Sequence, residues 1–415
     1  MNGEVRRPPD LIVLVSVLAL VVMGIVMVYS ASFIIAHNEF GDEKYFLLRH
    51  LAALLIGLTV MGFLAGVDYR RWRRWAWPAI LAALGALVLV LVPGIGVEQY
   101  GARRWLFLSG ALPGLQPTEL AKLALVVFMA YWFSERAGRA TGLTGDALPC
   151  LALVGLICLL VMRQPDLGST VVIVLTTITV FWAAGANLFH TAGLVAVGVA
   201  TLGWLATAAA YRADRLQCWA NPWADPQGLC WHTAQTLIAQ GSGGLTGVGL
   251  GAGRAKAYFL PNAHTDAIFA IIGEELGLIG VTLVLVLFAL LAWRGLLIMY
   301  RAPDSFGRLL AAGVTGLLVW QALLNMMVTT NVVPFTGITL PFVSFGGTSL
   351  VVSLAAVGLL LSISRRTALA APAAPPARSR EPTAAAVGRR RPAVSRPARR
   401  AGRAAAWAAA RRRPP

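Results

Sequence analysis

The chain is expected to be an all-α polytopic membrane protein with about ten transmembrane helices, a large extracytoplasmic loop between helices 7 and 8, and a disordered basic C-terminal tail. Three observations lead there. Of 415 residues, 58% are hydrophobic and only 13% charged, about half the charged share of a soluble domain. The mean hydropathy is +0.71. Apolar residues also gather into ten runs, near 11–33, 48–67, 76–93, 117–133, 148–162, 169–185, 188–211, 268–298, 305–330 and 346–364. Most approach the roughly 20 residues that cross hydrocarbon.

The first run is too long for a cleavable signal peptide, and no small-residue site closes it. Arg and Lys set the orientation. "MNGEVRRPPD" before run one, "DYRRWRRW" (68–75), "SERAGR" (134–139) and "YRAPDSFGR" (300–308) all fall on one side if the spans alternate. That side is the cytoplasm, and ten spans return the C-terminus to it. Arg103, Arg104, Arg212 and Arg215 fall on the outer side, so the charge asymmetry is a majority and not a clean split.

The net charge of +17 is concentrated in the tail, where fourteen Arg and one Glu from Arg365 onward supply thirteen of those charges. Its Ala, Pro and Arg composition, as in "RRRPAVSRPARR" (389–400), buries too little apolar surface to fold. A solvated topology determinant is the plainer role, and attraction to anionic membrane lipid the sharper one. No folded basic surface supports nucleic-acid binding. Cys150 and Cys158 lie inside an apolar run and read as packing residues. Cys218 and Cys230 lie in the outer loop, on the oxidising side, with eleven residues between them that include Pro222, Pro226 and Gly228. A disulfide between them is expected, with two thiols packed beside Trp219 and Trp231 as the alternative.

The longest stretch outside the spans is 212–267. Within it, "HTAQTLIAQ" (232–240) reads as a short interfacial helix, apolar at 234, 237 and 238. "GSGGLTGVGLGAG" (241–253) is a weak nucleotide fingerprint, since it does not join a strand to a helix, and reads instead as pliable backbone near a pyrophosphate. No Walker loop or zinc spacing appears, so no organic cofactor is expected. The last outer segment, "NVVPFTGITLPFVSFGG" (331–347), is apolar but broken by Pro334, Pro341 and Gly346–Gly347. Such backbone is tolerated at membrane depth only when protein buries it or it lines a wet cavity, which makes Ser344, Gly346 and Gly347 candidates for that lining.

Ionisable groups inside spans cost several kcal/mol and are functional candidates by default. In "QPTELAKL" (116–123), Pro117 suits a first helical turn and Glu119 and Lys122 share a face. They form either an orienting ion pair or the charged wall of a substrate cavity, with Gln116 at its edge. In "RQPDLGST" (163–170), Asp166 reads as a helix cap. "LPNAHTDAIFAIIGEELG" (260–277) places His264, Thr265, Asp266 and Glu274 at the mouth of an apolar run. Thr265 or Asp266 could merely cap that helix. A carboxylate half-sheltered from water has a raised pKa, which suits proton abstraction from a hydroxyl. Gly273 and Gly277 point to close packing or a kink.

Together "GARRWLFL…LQPTELAKL", "RQPDLGST", "NPWADPQG", "GSGGLTGVGLGAG", "LPNAHTDAIFAIIGEELG" and "ITLPFVSFGGTSL" resemble, in this order, the shape, elongation, division and sporulation family of bacterial membrane proteins. The resemblance covers roughly residues 10 to 365, and "LPNAHTD" and "NPWADP" are more similar to its division branch than to its rod-elongation branch. It implies a cytoplasmic N-terminus at 1–10, a ten-helix glycosyltransferase body at 11–365 and a cytoplasmic tail at 366–415. It also implies polymerisation of lipid II, a disaccharide-pentapeptide on undecaprenyl pyrophosphate, outside the cytoplasmic membrane at the septum. The implied partners are a class B penicillin-binding protein and divisome proteins. The family's essential carboxylate falls on Asp266, and its conserved acid and lysine fall on Glu119 and Lys122. "LSGALPGLQ" (108–116) carries no basic residue where several relatives have one.

The chemistry suits those residues. An acceptor hydroxyl must attack an anomeric carbon with inversion, and the leaving pyrophosphate needs positive charge. Lys122, Arg103, Arg104 or a divalent cation, Mg or Mn, could supply it. A lipid flippase and a scaffold without chemistry are the competing expectations.

Overall fold

In this computed structural model of the protein, residues 8–99, 102–106, 114–136, 147–186, 189, 191–196, 198, 203, 210–257 and 259–366 are described. The expected seventh span at 188–211 falls mostly outside them, as do most of "LSGALPGLQ" and the Arg-rich tail beyond residue 366.

The helices follow the apolar runs. α1 (Leu11–Phe40) starts where the Asp10 carboxylate accepts the amides of Ile12 and Val13, and it ends at Gly41 in the left-handed conformation. α2 (Tyr45–Gly66) leads into a 3₁₀ turn, Tyr69–Trp75, that carries the "YRRWRRW" arginines. α3 (Ala76–Leu89) is followed by a short antiparallel hairpin, β1 (Gly96–Gln99) and β2 (Ala102–Leu106). The hairpin was not expected, because strands of four and five residues leave almost no periodic signal. α4 (Pro117–Glu135) opens on its proline, and α5 (Leu148–Arg163) turns into α6 (Leu167–Ala183). Asp166 caps α6 through the amide and hydroxyl of Ser169, as its position suggested.

The stretch expected on the outer side contains α7 (Ala210–Ala220) and α8 (Trp231–Ser242). α8 buries Ala234, Thr236 and Ala239, while Ile238 is exposed. The expected face at 234, 237 and 238 is therefore only partly the packed one: small residues let the helix lie close against protein, and Ile238 points away. α9 (Ile268–Arg301), α10 (Ser305–Thr329) and α11 (Gly347–Ser364) complete the chain.

Among the described residues, α1, α2, α9, α10 and α11 are long and apolar enough to cross a membrane, and α5 and α6 are shorter apolar helices. α10 and α11 are central, with 83% and 89% of their most apolar windows buried against 33% for α2 and α9. The outer helices leave apolar stripes uncovered: Leu11, Val15, Leu18, Val22 and Val26 recur on α1 at helical spacing, all exposed. A soluble protein avoids so continuous a patch, whereas lipid accepts it.

α9 is broken. Gly277 sits at φ 62° and ψ −158°, a conformation open to glycine. The break frees backbone groups on both sides, and the glycine-rich loop satisfies them. Val248 and Gly249 donate to the carbonyls of Glu274 and Glu275 at 2.9 and 3.1 Å, while Leu278 and Ile279 donate to those of Gly244 and Leu245 at 3.0 and 3.2 Å. A Cβ at Gly247 would overlap the Glu275 carbonyl. The glycines thus serve close backbone packing at membrane depth, a different reason from the pliability the sequence suggested.

Candidate active site

Asp266 lies in the turn that delivers the chain into α9. Asn262 has φ 54°, and Thr265 closes the turn through its amide and hydroxyl, both 3.0 Å from the Asn262 carbonyl. The Thr265 hydroxyl also donates to Asp266 Oδ1 at 3.0 Å. Ala267 occupies the cap position and no side chain caps the helix, so the capping alternative for Thr265 and Asp266 is not realised. Burial raises the Asp266 pKa, opposed by His232, Thr265, its own amide and Arg215. The carboxyl therefore holds a proton above the ordinary carboxylate range.

Four elements converge on this turn. From α10, Asn325 donates to the Asp266 carbonyl at 2.8 Å and the Ile338 carbonyl at 2.7 Å, pinning the 331–346 segment to it. From that segment, Gly337 has φ 70°, and a Cβ there would stand 3.4 Å from Asp266 Oδ2. From α7, Arg215 donates to the Phe335 carbonyl at 3.1 Å, with its guanidinium 5.1 Å from the Phe335 ring centre. From α8, His232 packs on the same ring at 4.1 Å. The Cys218–Cys230 disulfide, with Cα atoms 5.1 Å apart, joins α7 to the start of α8.

Glu119 and Lys122 form a buried pair at 2.8 Å, and Lys122 Nζ also donates to Gln321 Oε1 at 2.7 Å. Gln321 in turn donates to the Thr339 carbonyl at 3.2 Å and to Ser349 at 3.3 Å. Gln321 and Asn325 stand four residues apart on α10, one helical turn, about 6 Å along the axis. One buried face of α10 therefore holds Lys122 with one amide and the Asp266 turn with the next. Neither amide was singled out from the sequence. The available signal was two polar residues at i, i+4 inside an apolar run.

The other candidates go elsewhere. His264 points away from Asp266: its ring packs between Phe46 at 4.5 Å and Phe345 at 5.5 Å, and burial pushes its pKa down to about 4. It is neutral at physiological pH and offers no cation to an anionic substrate. Glu274 accepts the amides of Arg254, at 2.7 Å, and Ala255, at 3.2 Å, so it organises the glycine-rich loop. Arg103 pairs with Glu98 at 3.2 Å on the hairpin, while Arg104 donates to the carbonyls of Gln164 and Pro165 at 2.9 and 2.5 Å. Ser344 accepts the Leu340 amide at 2.8 Å, and Gly346 caps α11 with Gly347 as its first residue. The Gln116 amide donates to Thr348 at 3.1 Å, tying α4 to the start of α11.

A second buried cluster went unseen in the sequence. Lys256 Nζ donates to Glu275 Oε1 at 2.6 Å and to Ser30 at 3.1 Å, and it sits 5.0 Å from the Phe33 ring centre. Ser30 also donates to Glu275. α1, α9 and the loop that carries Lys256 are thereby locked together.

Among the described residues, no three His, Cys, Asp or Glu side chains gather in a way that could hold a metal.

Long helices with apolar faces left uncovered mark the chain as a multi-pass membrane protein, and the buried carboxyl of Asp266 and the amide-linked ion pair of Lys122 and Glu119 give it a polar interior. The chain belongs to the cell cycle protein family that groups FtsW, RodA and SpoVE, which it matches over residues 10–369. It is 42% identical over 360 residues to the stage V sporulation protein E of Bacillus subtilis, covering 87% of this chain and 98% of that protein. It is also 42% identical over 373 residues to a probable peptidoglycan glycosyltransferase FtsW of Trichlorobacter lovleyi, covering 88% and 97%. Among solved structures, it resembles a chain from a peptidoglycan synthase complex that couples polymerisation to crosslinking, with a TM-score of 0.70 and 31% identity over 86% of this chain and 98% of that one. The rod shape determining protein RodA of Thermus thermophilus superposes with a TM-score of 0.63 at 30% identity, covering 86% and 97%.

Proposed function

We propose that this chain is a peptidoglycan glycosyltransferase that polymerises lipid II on the outer face of the bacterial cytoplasmic membrane, with Asp266 as general base. The observation that carries this is the Asp266 carboxyl itself, raised in proton affinity by burial and set in a turn braced from α7, α8 and α10. In the reaction the acceptor O–H breaks as its oxygen bonds the anomeric carbon. The anomeric C–O bond breaks with its electron pair leaving on the pyrophosphate, and the proton passes to Asp266. Inversion follows from a single displacement. Arg215, whose charge acts on Asp266, is placed to add positive charge beside this chemistry. A divalent cation, where bound with the substrate, would supply further positive charge to the leaving group. Lys122, buried between Glu119 and Gln321, supports the α10 face that holds the turn.

The relatives named FtsW, together with the charge asymmetry of the loops, support a division enzyme with both termini cytoplasmic, working at the septum beside divisome proteins. The synthase-complex neighbour supports a class B penicillin-binding protein as partner. The test is glycan synthesis from lipid II by the purified chain with its partner transpeptidase. Asp266→Asn is expected to abolish polymer while leaving the fold and partner binding intact. Polymer at the unaltered yield from that variant would overturn the assignment. Lipid II movement without chain growth would favour a flippase.

A further inference from the structure

We propose that the cavity between the end of α2 and the end of α11 binds the phosphate headgroup of an anionic glycerophospholipid from the leaflet on that side of the membrane. The site is separate from the chemistry proposed for Asp266.

The cavity holds about 440 Å³, within the roughly 300–1,000 Å³ of small-molecule sites. Its walls are Gly66 and Val67 where α2 ends, Asp68, Arg70 and Arg71 of the turn that follows, and Arg366 just past α11. Three guanidinium groups therefore line it beside one carboxylate. The planar fork of an arginine matches two phosphate oxygens at once.

Buried hydrogen bonds hold these walls. The hydroxyl of Ser362, on α11, donates to the Val67 carbonyl at 2.6 Å and accepts the Tyr69 amide at 3.1 Å. It also accepts from Arg366 at 3.0 Å, which fills its one donor and two acceptor sites. Arg366 Nε stands 3.3 Å from Asp68 Oδ2, and its side chain is only 8% exposed. Arg70 pairs with Asp304 at 3.2 Å. Arg71 is exposed and has no acidic partner among the described residues. The cavity thus carries positive charge that its own carboxylate does not neutralise.

Its position favours a lipid over a dissolved anion. The Asp10 amide donates to Ser364 at 3.2 Å, so α1 starts and α11 ends at this face of the bundle. Trp75 and Trp77 follow the arginines directly and are exposed, and such amphipathic rings settle at headgroup level. On α2, Leu55, Thr59 and Phe63 form an exposed stripe that runs to Gly66. A Cβ at Gly62 or Gly66 would meet nothing within 4 Å, so nothing in the protein covers the end of that stripe. Acyl chains lying along α2 would bring their phosphate to Arg71 and Arg366. The loop arginines assign this face to the cytoplasm, where the leaflet is rich in anionic lipid.

The experiment uses the full chain in neutral detergent and counts bound lipid by native mass spectrometry during titration with phosphatidylglycerol or phosphatidylcholine. Phosphatidylglycerol is expected to bind about tenfold more tightly than phosphatidylcholine. Arg71→Gln and Arg366→Gln are each expected to weaken it by about fivefold. Arg308→Gln, on the first turn of α10 at the same end but outside the cavity, is expected to keep the parent's affinity. The Arg-rich tail is present in every variant, so its own attraction for lipid cancels in the comparison. Equal affinity for the two lipids overturns the proposal. So does parent affinity in Arg71→Gln or Arg366→Gln, or an equal loss in Arg308→Gln, which would mean diffuse surface attraction. If Arg366→Gln fails to fold, Arg71→Gln decides alone. Glycerol 3-phosphate binding as tightly as phosphatidylglycerol would assign the cavity to a dissolved phosphate and overturn the lipid.

Discussion

Lys256→Met is expected to be among the most destabilising single substitutions outside the apolar core. Lys256 and Glu275 are 2.6 Å apart, with side chains 1% and 0% exposed. At an effective dielectric of 20, that separation is worth about 6 kcal/mol of attraction. Desolvating the two ions costs several kcal/mol each, so the net worth of the pair is small. Removing one partner alone is different, because Glu275 then keeps its desolvation cost with only Ser30 and the Gly251 amide to offset it. The expected loss is about 3–5 kcal/mol. Adding Glu275→Gln to Lys256→Met removes the orphaned charge while keeping an acceptor for both remaining donors, so the double variant should recover all but about 1 kcal/mol. Reversible denaturant unfolding in detergent, read by Trp fluorescence, gives the double-mutant cycle. Hydrogen exchange at Val248 and Gly249 should rise in the single variant and fall back in the double, since both amides pair with α9 carbonyls beside this cluster. A single variant within 1 kcal/mol of the parent, or a double variant no better than the single, would refute the reasoning.

Gly337→Ala should lower kcat for glycan synthesis by about tenfold, because φ 70° strains any Cβ and relief of that strain shifts the backbone in van der Waals contact with Asp266; an unchanged rate would show that this wall does not position the carboxylate. Glu119→Ala and Lys122→Ala should each cost about 3–5 kcal/mol of stability, since either leaves a buried charge unpaired, and unfolding measurements would contradict this if one variant were neutral. Cys218 and Cys230 should resist alkylation until the protein is reduced, and mass spectrometry showing both thiols labelled beforehand would dismiss the bridge.

What sequence alone determined here is what each residue settles locally. Transfer of a side chain from water to hydrocarbon depends on that side chain, so the apolar runs located α2, α9, α10 and α11 to within a few residues and the start of α1, which continues past its run to Phe40. Capping and first-turn geometry involve neighbours only, so Asp166 and Pro117 were legible. Asp266 stood out because a carboxylate at the mouth of an apolar run carries its cost wherever it packs. Side-chain direction is another matter, since it is set by partners distant in the chain. His264 and Asp266 are two residues apart, yet one ring turns to Phe46 and Phe345 while the other group turns to Gly337. Glu274 and Glu275 are adjacent and serve different clients, the loop amides and Lys256. The glycine-rich stretch could not announce that it fills a broken helix, because the break and its filler lie some thirty residues apart. His232, Arg215, Gln321 and Asn325 acquire their roles only when α7, α8 and α10 are brought around one turn, and that meeting is decided by packing.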